Sequence, residues 1–214
     1  MHVHRVYARV LRPFRRRRMR RFAAAFGPTA ALRVVDVGGS AFNWTFLASP
    51  PRLVLVNLER PRGAHAVPAG SAFVVADGTR LAFADRAFDV AFSNSVIEHL
   101  GTLERQAAFA RELRRVAAGV WVQTPARGFP VEPHLLAPFV HWLPRRWQRR
   151  LLRRFTGWGW LSRPSPERVA RFLAETRLLT LREMRALFPD CEIQRERFCG
   201  LTKAYVAVRP PAPV

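Results

Sequence analysis

The 214-residue sequence has little cysteine and no long hydrophobic run. Its two cysteines, Cys191 and Cys199, fit the spacing of neither a metal site nor a disulfide framework. We therefore predict a reducing, cytoplasmic environment and no metal site. No apolar run approaches the roughly 18 residues that span a bilayer. The apolar stretch after the basic N-terminus is too short for a secretory signal peptide.

Acidic residues are also scarce, because 15 Asp and Glu oppose 36 Lys and Arg, for a net charge of +21. Residues 1–21 carry nine arginines and no acid, and residues 126–178 carry eleven arginines and three glutamates. Such segments favour anionic partners: nucleic acid, acidic lipid head groups or acidic substrates. The alternative is a solvated arginine surface.

The N-terminal segment, residues 1–29, is predicted to be a basic helix or arm. Apolar residues recur at helical spacing through residues 3–14, and Pro13 is expected to end or kink the helix. A basic amphipathic helix can lie on a membrane surface or pack against a sheet, and both interpretations stay open.

From residue 32 onward, short β-branched runs alternate with helical patterns. Strands are predicted at 32–37, 53–57, 73–77, 88–92 and 119–123, and a final hairpin through Gly200 at 191–198 and 202–208. Helices are predicted around 42–47, from about Ile97, at 103–116 and at 180–187. This order predicts an α/β fold with a doubly wound, mostly parallel, seven-stranded Rossmann-like sheet and an antiparallel terminal hairpin. The domain would span residues 30–209, with a tail at 210–214.

The alternation breaks at 126–178, which predicts a helical cap inserted after the fifth strand. This segment holds four of the six tryptophans, an apolar group from Leu135 and Leu136 to Leu143, and a basic stretch from Arg145 to Arg154. Tryptophan and arginine suit the head-group zone of a bilayer, so the cap and the basic arm could touch an anionic membrane peripherally. A core-packed cap with a solvated arginine face is the alternative.

Four predicted strands end in residues that suit a ligand site, since open parallel sheets bind ligands at the carboxyl ends of their strands. The first is followed by Asp36, Gly38 and Gly39, the second by Asn57 and Glu59, the third by Asp77 and Gly78, and the fourth by Asn94, Glu98 and His99. Each pattern alone also occurs in ordinary turns and caps. The G-x-G-x-x-G spacing of nicotinamide-binding proteins is absent.

Three segments resemble the class I S-adenosylmethionine-dependent methyltransferases, in particular the broad type 11 family. They are Val34–Gly39, Val74–Gly78 with Leu81–Phe83, and Phe88–Leu100, and Leu181–Pro189 is similar to the family's last helix. The resemblance covers roughly residues 30–125 and 178–209. It implies S-adenosylmethionine as the cofactor and S-adenosylhomocysteine as the product.

The resemblance also implies roles for the strand-end residues. Asp36, Gly38 and Gly39 would hold the methionine part, Asn57 or Glu59 the ribose, Asp77 and Gly78 the adenine, and Asn94 would lie near the sulfonium. Two positions depart from the family: Ser40 replaces a usual glycine, and Asn57 replaces a usual acid. A neutral amide bonds a hydroxyl more weakly than a carboxylate does, so weaker cofactor binding is expected.

The sulfonium already activates the methyl group, so the protein would mainly supply proximity. A general base is needed only if the acceptor must lose a proton, and His99 and His134 are the candidate catalytic residues, with Glu132 placed to orient His134. The predicted acceptor is a small or amphiphilic molecule. An RNA acceptor stays open because of the basic charge, although an Asn/Asp-Pro-Pro-aromatic motif and a suitably placed catalytic cysteine are absent. A non-catalytic module that binds the cofactor, a membrane or nucleic acid is the third possibility.

Overall fold

The computed structural model describes residues 3–60, 67, 70–132, 134, 135 and 137–211, with side chains from Arg12 onward. Its helices are α1 (Val3–Phe26), α2 (Ala41–Trp44), α3 (Leu103–Val116), α4 (Arg145–Leu151), α5 (Gly157–Ser162), α6 (Pro166–Glu175) and α7 (Leu181–Leu187). Its strands are β1 (Arg33–Val37), β2 (Arg52–Asn57), β3 (Ala72–Val75), β4 (Phe88–Asn94), β5 (Ala117–Pro125), β6 (Val131–Glu132), β7 (Ala137–Pro138), β8 (Glu192–Phe198) and β9 (Leu201–Arg209).

Seven strands form one sheet in the order β3-β2-β1-β4-β5-β9-β8. The first five pair in parallel, whereas β9 runs antiparallel to both β5 and β8. The predicted doubly wound sheet with its terminal hairpin is therefore confirmed. The strand order reverses between β1 and β4, and in such sheets that point opens a crevice at the carboxyl ends of the strands.

The central strands form because helices cover both of their faces. In β1, Val34 and Val35 are fully buried on opposite sides of the sheet, as expected for a parallel strand. On one face α3 buries Phe109 and Leu113 against the sheet. Its first turn is capped by Thr102, whose side chain accepts a hydrogen bond from the Arg105 backbone, which satisfies an otherwise unpaired helix N–H.

The N-terminal helix α1 covers the other face. Met19, Phe22 and Phe26 are buried in a cluster with Trp44, Phe92 and Trp121. The helix continues through Pro13 and does not end there. Pro13 removes one hydrogen bond of the helix, whereas burial of the later turns stabilises it. Of the two interpretations of this segment, the packed helix holds for its C-terminal half; the side chains of residues 3–11 lie outside the described ones.

The segment 126–178 folds around a core of its own that includes Leu135, Leu152 and Trp158. It contains α4, α5 and α6, together with the small antiparallel pair β6–β7, which the sequence did not predict. Pro133 and Leu136 lie outside the described residues. Where the cap returns to the sheet, the Gln106 amide donates to the carbonyls of Ile97 and Arg177, both at 2.9 Å. This contact fixes the end of the cap beside the loop after β4.

Two predicted helices are shorter than expected. The helix predicted around 42–47 covers only Ala41–Trp44, and a 3₁₀ turn at Ile97–Leu100 replaces the helix predicted from Ile97. Gly101, with a φ of 75°, ends that turn in a conformation that glycine adopts without strain. Within the described residues, no helix is long and apolar enough to cross a membrane.

Candidate active site

A cavity of about 600 Å³ opens at the carboxyl ends of β1 and β2. This volume lies within the usual range for small-molecule sites. Four of the predicted cofactor residues line it: Gly38, Asn57, Asp77 and Gly78. The rest of the cavity wall includes His99, Gly101, Thr102, Arg105 and Glu175.

The turn after β1 requires both of its glycines. Gly38 has a φ of 78°, and a Cβ there would lie 2.5 Å from a methyl carbon of Val96. A Cβ on Gly39 would lie 1.9 Å from the carboxyl carbon of Asp36. The backbone of Gly39 therefore rests directly on the Asp36 side chain, and the turn leaves Gly38 open to the cavity.

Asp36 lies beneath this turn, and its side chain is fully buried. Its Oδ2 accepts a 2.8 Å hydrogen bond from the Trp44 indole, while Oδ1 has no hydrogen-bond partner among the described residues. Burial raises the pKa of Asp36 to about 7, although the Trp44 hydrogen bond acts in the opposite direction. Sequence reasoning missed Trp44 as the partner of Asp36, because its apolar surroundings indicated a core residue only.

Asn57, at the end of β2, lines the cavity. Its side-chain oxygen accepts a 3.0 Å hydrogen bond from the Leu58 backbone. Glu59 follows in an exposed loop and does not line the cavity. Of the two residues predicted to reach a ribose, only Asn57 therefore forms part of the cavity wall.

Asp77 and Gly78 form the wall after β3. Oδ1 of Asp77 accepts from the backbone and hydroxyl of Thr79, and Oδ2 lies 3.2 Å from the Arg105 guanidinium. The Thr79 backbone bond is the largest factor that lowers the pKa of Asp77, so this carboxylate is ionised at neutral pH. A Cβ on Gly78 would lie 2.6 Å from the Phe109 ring, so only glycine fits there.

Asn94, at the end of β4, is engaged by α1. The Arg18 guanidinium donates to its side-chain oxygen at 2.5 Å and also pairs with Glu196 at 2.7 Å. Arg18 is only 6% exposed. The next residue, Ser95, has a φ of 56° and donates through its hydroxyl to Gln123 at 3.0 Å. Positive φ in a non-glycine residue is strained, and such strain clusters at functional sites.

The two candidate catalytic histidines meet at the cap, although 35 residues separate them in sequence. Their Nε2 atoms lie 3.2 Å apart. His134 Nδ1 lies 2.6 Å from Oε1 of Glu132, so Glu132 orients His134 as the sequence suggested. The second oxygen of Glu132 accepts from the Leu135 backbone at 2.6 Å.

These contacts give the two rings different charge. Burial lowers the pKa of His134, but the charge and hydrogen bond of Glu132 outweigh that effect, and the pKa rises to about 9. Desolvation and the neighbouring His134 lower the pKa of His99 to about 4. Near pH 7, therefore, the pair carries one positive charge, on His134.

A second cavity, of about 420 Å³, lies under the cap. Its wall has polar groups from Glu132, Arg127, Arg145, Arg177 and His141. It also has apolar surface from Trp142 and Leu143. Gly101 lines both cavities. Because His99 lines the first cavity and Glu132 the second, the contacts from His99 through His134 to Glu132 connect the two. In the sequence, only the tryptophan and arginine content of the cap pointed to this second cavity.

The model of a family described as a methyltransferase domain matches residues 48–119, from just before β2 into β5. The strand order and the cavity at the switch point agree with this match. The chain has a class I methyltransferase fold. The resemblance seen in the sequence is thus confirmed, and the matched segment includes Asn57, Asp77, Gly78 and His99.

Solved methyltransferases share this fold at low identity. Magnesium protoporphyrin IX methyltransferase from Synechocystis PCC 6803, solved with bound S-adenosylhomocysteine, is 13% identical with a TM-score of 0.60; the match covers 98% of this chain and 88% of that one. The 1,6-didemethyltoxoflavin-N1-methyltransferase of Burkholderia thailandensis is 15% identical with a TM-score of 0.55, over 91% and 76%.

The same fold also occurs in a protein described as a [4+2]-cyclase, SpnF, which is 14% identical with a TM-score of 0.52 over 92% of this chain and 81% of that one. No curated protein matches the chain significantly. A methyltransferase fold therefore leaves the reaction to be argued from the residues of the site.

Proposed function

We propose that the protein transfers the methyl group of S-adenosylmethionine to a small or amphiphilic acceptor. The observation that carries this proposal is the pair of adjoining cavities that share Gly101 and are connected through His99 and His134. The larger cavity, at the carboxyl ends of β1 and β2, takes the cofactor. The smaller one, under the cap, takes the acceptor, so that the two reacting groups are held together.

In this arrangement each cavity residue meets one part of the cofactor. The open Gly38 turn takes the methionine part, the Asn57 amide bonds the ribose, and the Asp77 carboxylate accepts from the adenine amino group. Arg105 now occupies Oδ2 of Asp77, but this ion pair is exposed, and exposed pairs contribute little and are easily exchanged. Asp36 acts from beneath by supporting the turn, and Asn94 lies at the carboxyl end of β4.

The acceptor cavity favours an anionic, partly apolar molecule. Arg127 and Arg145 line it beside Trp142 and Leu143, and among the described residues neither arginine has a carboxylate within ion-pair distance. His99 and His134 lie between the two cavities and are the groups that act on the acceptor. Methyl transfer to an acceptor hydroxyl or amine leaves a proton to be removed. His99, which is neutral near pH 7, can accept it, whereas the protonated His134 stabilises negative charge on the acceptor.

Replacement of Asp77 by alanine is expected to weaken cofactor binding by about tenfold or more, since a hydrogen bond to a charged group contributes about 1.5–3 kcal/mol. Calorimetric titration with S-adenosylmethionine and, separately, S-adenosylhomocysteine measures this. Asp89→Ala is the matched control, because Asp89 is paired with Arg33 at the opposite end of the sheet. If neither ligand binds the unmodified protein, the proposal is wrong.

We also propose that the protein docks on an anionic membrane through the exposed face of the cap. Residues 145–162 contain no acid, and within them Trp147, Phe155 and Trp160 are 46%, 67% and 73% exposed. The Arg150 guanidinium carbon lies 5.9 Å from the centre of the Trp147 ring. Exposed tryptophan interleaved with arginine suits the head-group zone, where each basic residue contributes about 1 kcal/mol.

Flotation with vesicles tests this docking. We expect the protein to float with vesicles that contain phosphatidylglycerol at low salt, and much less with pure phosphatidylcholine or at high salt. The double variant Trp147→Ala/Trp160→Ala is expected to lose most of this binding. Leu58→Ala removes an apolar side chain of similar exposure (67%) outside the cap and should leave flotation unchanged. Absence of flotation at low salt would rule out the docking and favour RNA as the anionic partner.

A further inference from the structure

Three potential metal ligands converge where the cap meets the loop after β4. They are a carboxylate oxygen of Glu98 and one ring nitrogen each of His99 and His134, and these three atoms all lie within 4.8 Å of one another. Glu98 and His99 come from the 3₁₀ turn, whereas His134 comes from the loop between β6 and β7. The Arg177 backbone donates to the Glu98 carbonyl at 2.7 Å, which holds the cap against that same turn.

The Glu98 side chain has an unsatisfied atom in this cluster. Glu98 is fully buried, and its Oε2 accepts a 3.0 Å hydrogen bond from the Thr124 hydroxyl. Its Oε1 is buried without a hydrogen-bond donor among the described residues, and the His134 ring nitrogen lies 4.0 Å away. A buried carboxylate oxygen without a donor is costly, and a cation at this point would satisfy it.

The spacing of the ligand atoms fits a small divalent ion. In a tetrahedral zinc site with Zn–N distances near 2.0–2.1 Å, neighbouring ligand atoms lie about 3.4 Å apart. The two Nε2 atoms are 3.2 Å apart, and Oε1 of Glu98 lies 4.0 Å from Nε2 of His134, somewhat beyond that spacing. Metal-bound histidines usually donate their other N–H to a carboxylate, and Glu132 receives His134 Nδ1 in this way at 2.6 Å.

We propose that Glu98, His99 and His134 bind a divalent transition-metal ion of the zinc type, and that Glu132 orients His134 for it. Two histidines and one carboxylate leave the fourth position of a tetrahedral ion open, as in catalytic zinc sites. His99 lines the first cavity and Glu132 the second, so the cluster lies beside both. This site departs from the sequence-based expectation of no metal, which rested on cysteine spacing and could not foresee histidines 35 residues apart meeting.

The role of the ion rests on the proposed methyl transfer. An acceptor hydroxyl bound in the open position loses its proton to solvent more easily, because the cation stabilises the oxyanion. The oxyanion then attacks the methyl carbon; an O–C bond forms, the C–S bond breaks, and its electron pair stays on sulfur to give S-adenosylhomocysteine. No oxidant or reductant is required.

Metal titration of the chelator-treated, tag-free protein tests the site. We expect one equivalent of zinc to bind at micromolar or tighter affinity by calorimetry, and cobalt(II) to give the visible absorption of a four-coordinate ion. His99→Ala and the isosteric Glu98→Gln are expected to abolish this equivalent or weaken it at least tenfold. Glu132→Gln should weaken it by about 10–100-fold, as expected for a residue that orients a ligand.

His141→Gln is the matched control, because this cap histidine bonds the Arg127 carbonyl and lies outside the cluster. It should retain the bound equivalent. Equal zinc binding by the His99→Ala protein, or no stoichiometric binding at all, would show that the two imidazoles only hydrogen-bond each other. Titration with S-adenosylmethionine on the same samples separates the two proposals. If the protein binds the cofactor but not zinc, only the metal site is overturned. If it binds zinc but not the cofactor, only the proposed methyl transfer is overturned.

Discussion

Replacement of Phe22 by alanine is expected to lower the free energy of unfolding by about 3–5 kcal/mol, the usual cost of truncating a fully buried phenylalanine. Phe22 is 0% exposed and its ring meets four aromatic neighbours edge-on or stacked: Phe26, Trp44, Phe92 and Trp121. The ring therefore joins α1 to the central strands β4 and β5. Removing it leaves a cavity that rigid aromatic neighbours cannot fill.

Urea unfolding measures this change, and Phe14→Ala is the control from the same helix. Phe14 is partly exposed and packs mainly on Phe198 and Lys203, so its loss should cost much less. Equal, small effects of both substitutions would mean that α1 is a dispensable arm. A large effect of Phe22→Ala alone means that the basic N-terminal segment belongs to the folded core.

Replacement of Asp36 by asparagine is expected to stabilise the ligand-free protein at pH 8 by about 2 kcal/mol. The folded-state pKa of Asp36 is raised to about 7 by burial, whereas an unfolded aspartate titrates near 3.9. Between these values the folded protein binds more protons than the unfolded chain, so stability falls as pH rises through this window. A shift of about three pKa units corresponds to roughly 4 kcal/mol in the free energy of unfolding. The asparagine amide that replaces the carboxylate is imperfectly hydrogen-bonded, which reduces this gain.

Urea unfolding from pH 5 to pH 8 measures the difference between the two proteins. We expect the advantage of Asp36→Asn to grow steadily up to about pH 7 and then level off. In the control Asp89→Asn the sign is opposite. Burial of Asp89 is outweighed by the Arg33 hydrogen bonds, which lower the pKa of Asp89, so its loss destabilises near neutral pH. An advantage that does not change with pH would mean that Asp36 is not desolvated.

If Asp36→Asn stabilises the protein, the buried Asp36 carboxylate costs stability in the ligand-free state. Its cost in the empty protein is offset only if the ionised form helps to hold the cationic methionine part of the cofactor. We therefore expect the same variant to bind S-adenosylmethionine more weakly than the unmodified protein, so that stability and binding change in opposite directions.

The sequence predicted the fold because the central strands are buried on both faces and are therefore continuous β-branched runs, such as Val34–Val37, between helices of strong 3.6-residue periodicity, such as α3. The sequence predicted helix lengths and helix ends less well, because tertiary packing decides local structure there. Pro13 lies inside a helix, and the residues after Ile97 form only a 3₁₀ turn before Gly101. Local propensity is weak compared with burial of Phe22 or with the close approach of Gly101 to the Ala174 carbonyl.

The same division holds for the site. That glycines, acids and amides follow the strands could be predicted without a structure, because each strand end is read from its own few residues. Packing in three dimensions selects the residues that reach the cavity: Asn57 and Asp77 do, Asp36 lies beneath the turn, and Asn94 is held by Arg18. It also decided that His99 and His134 meet. These contacts join residues far apart in the chain, and their geometry depends on how the cap and α1 pack against the sheet.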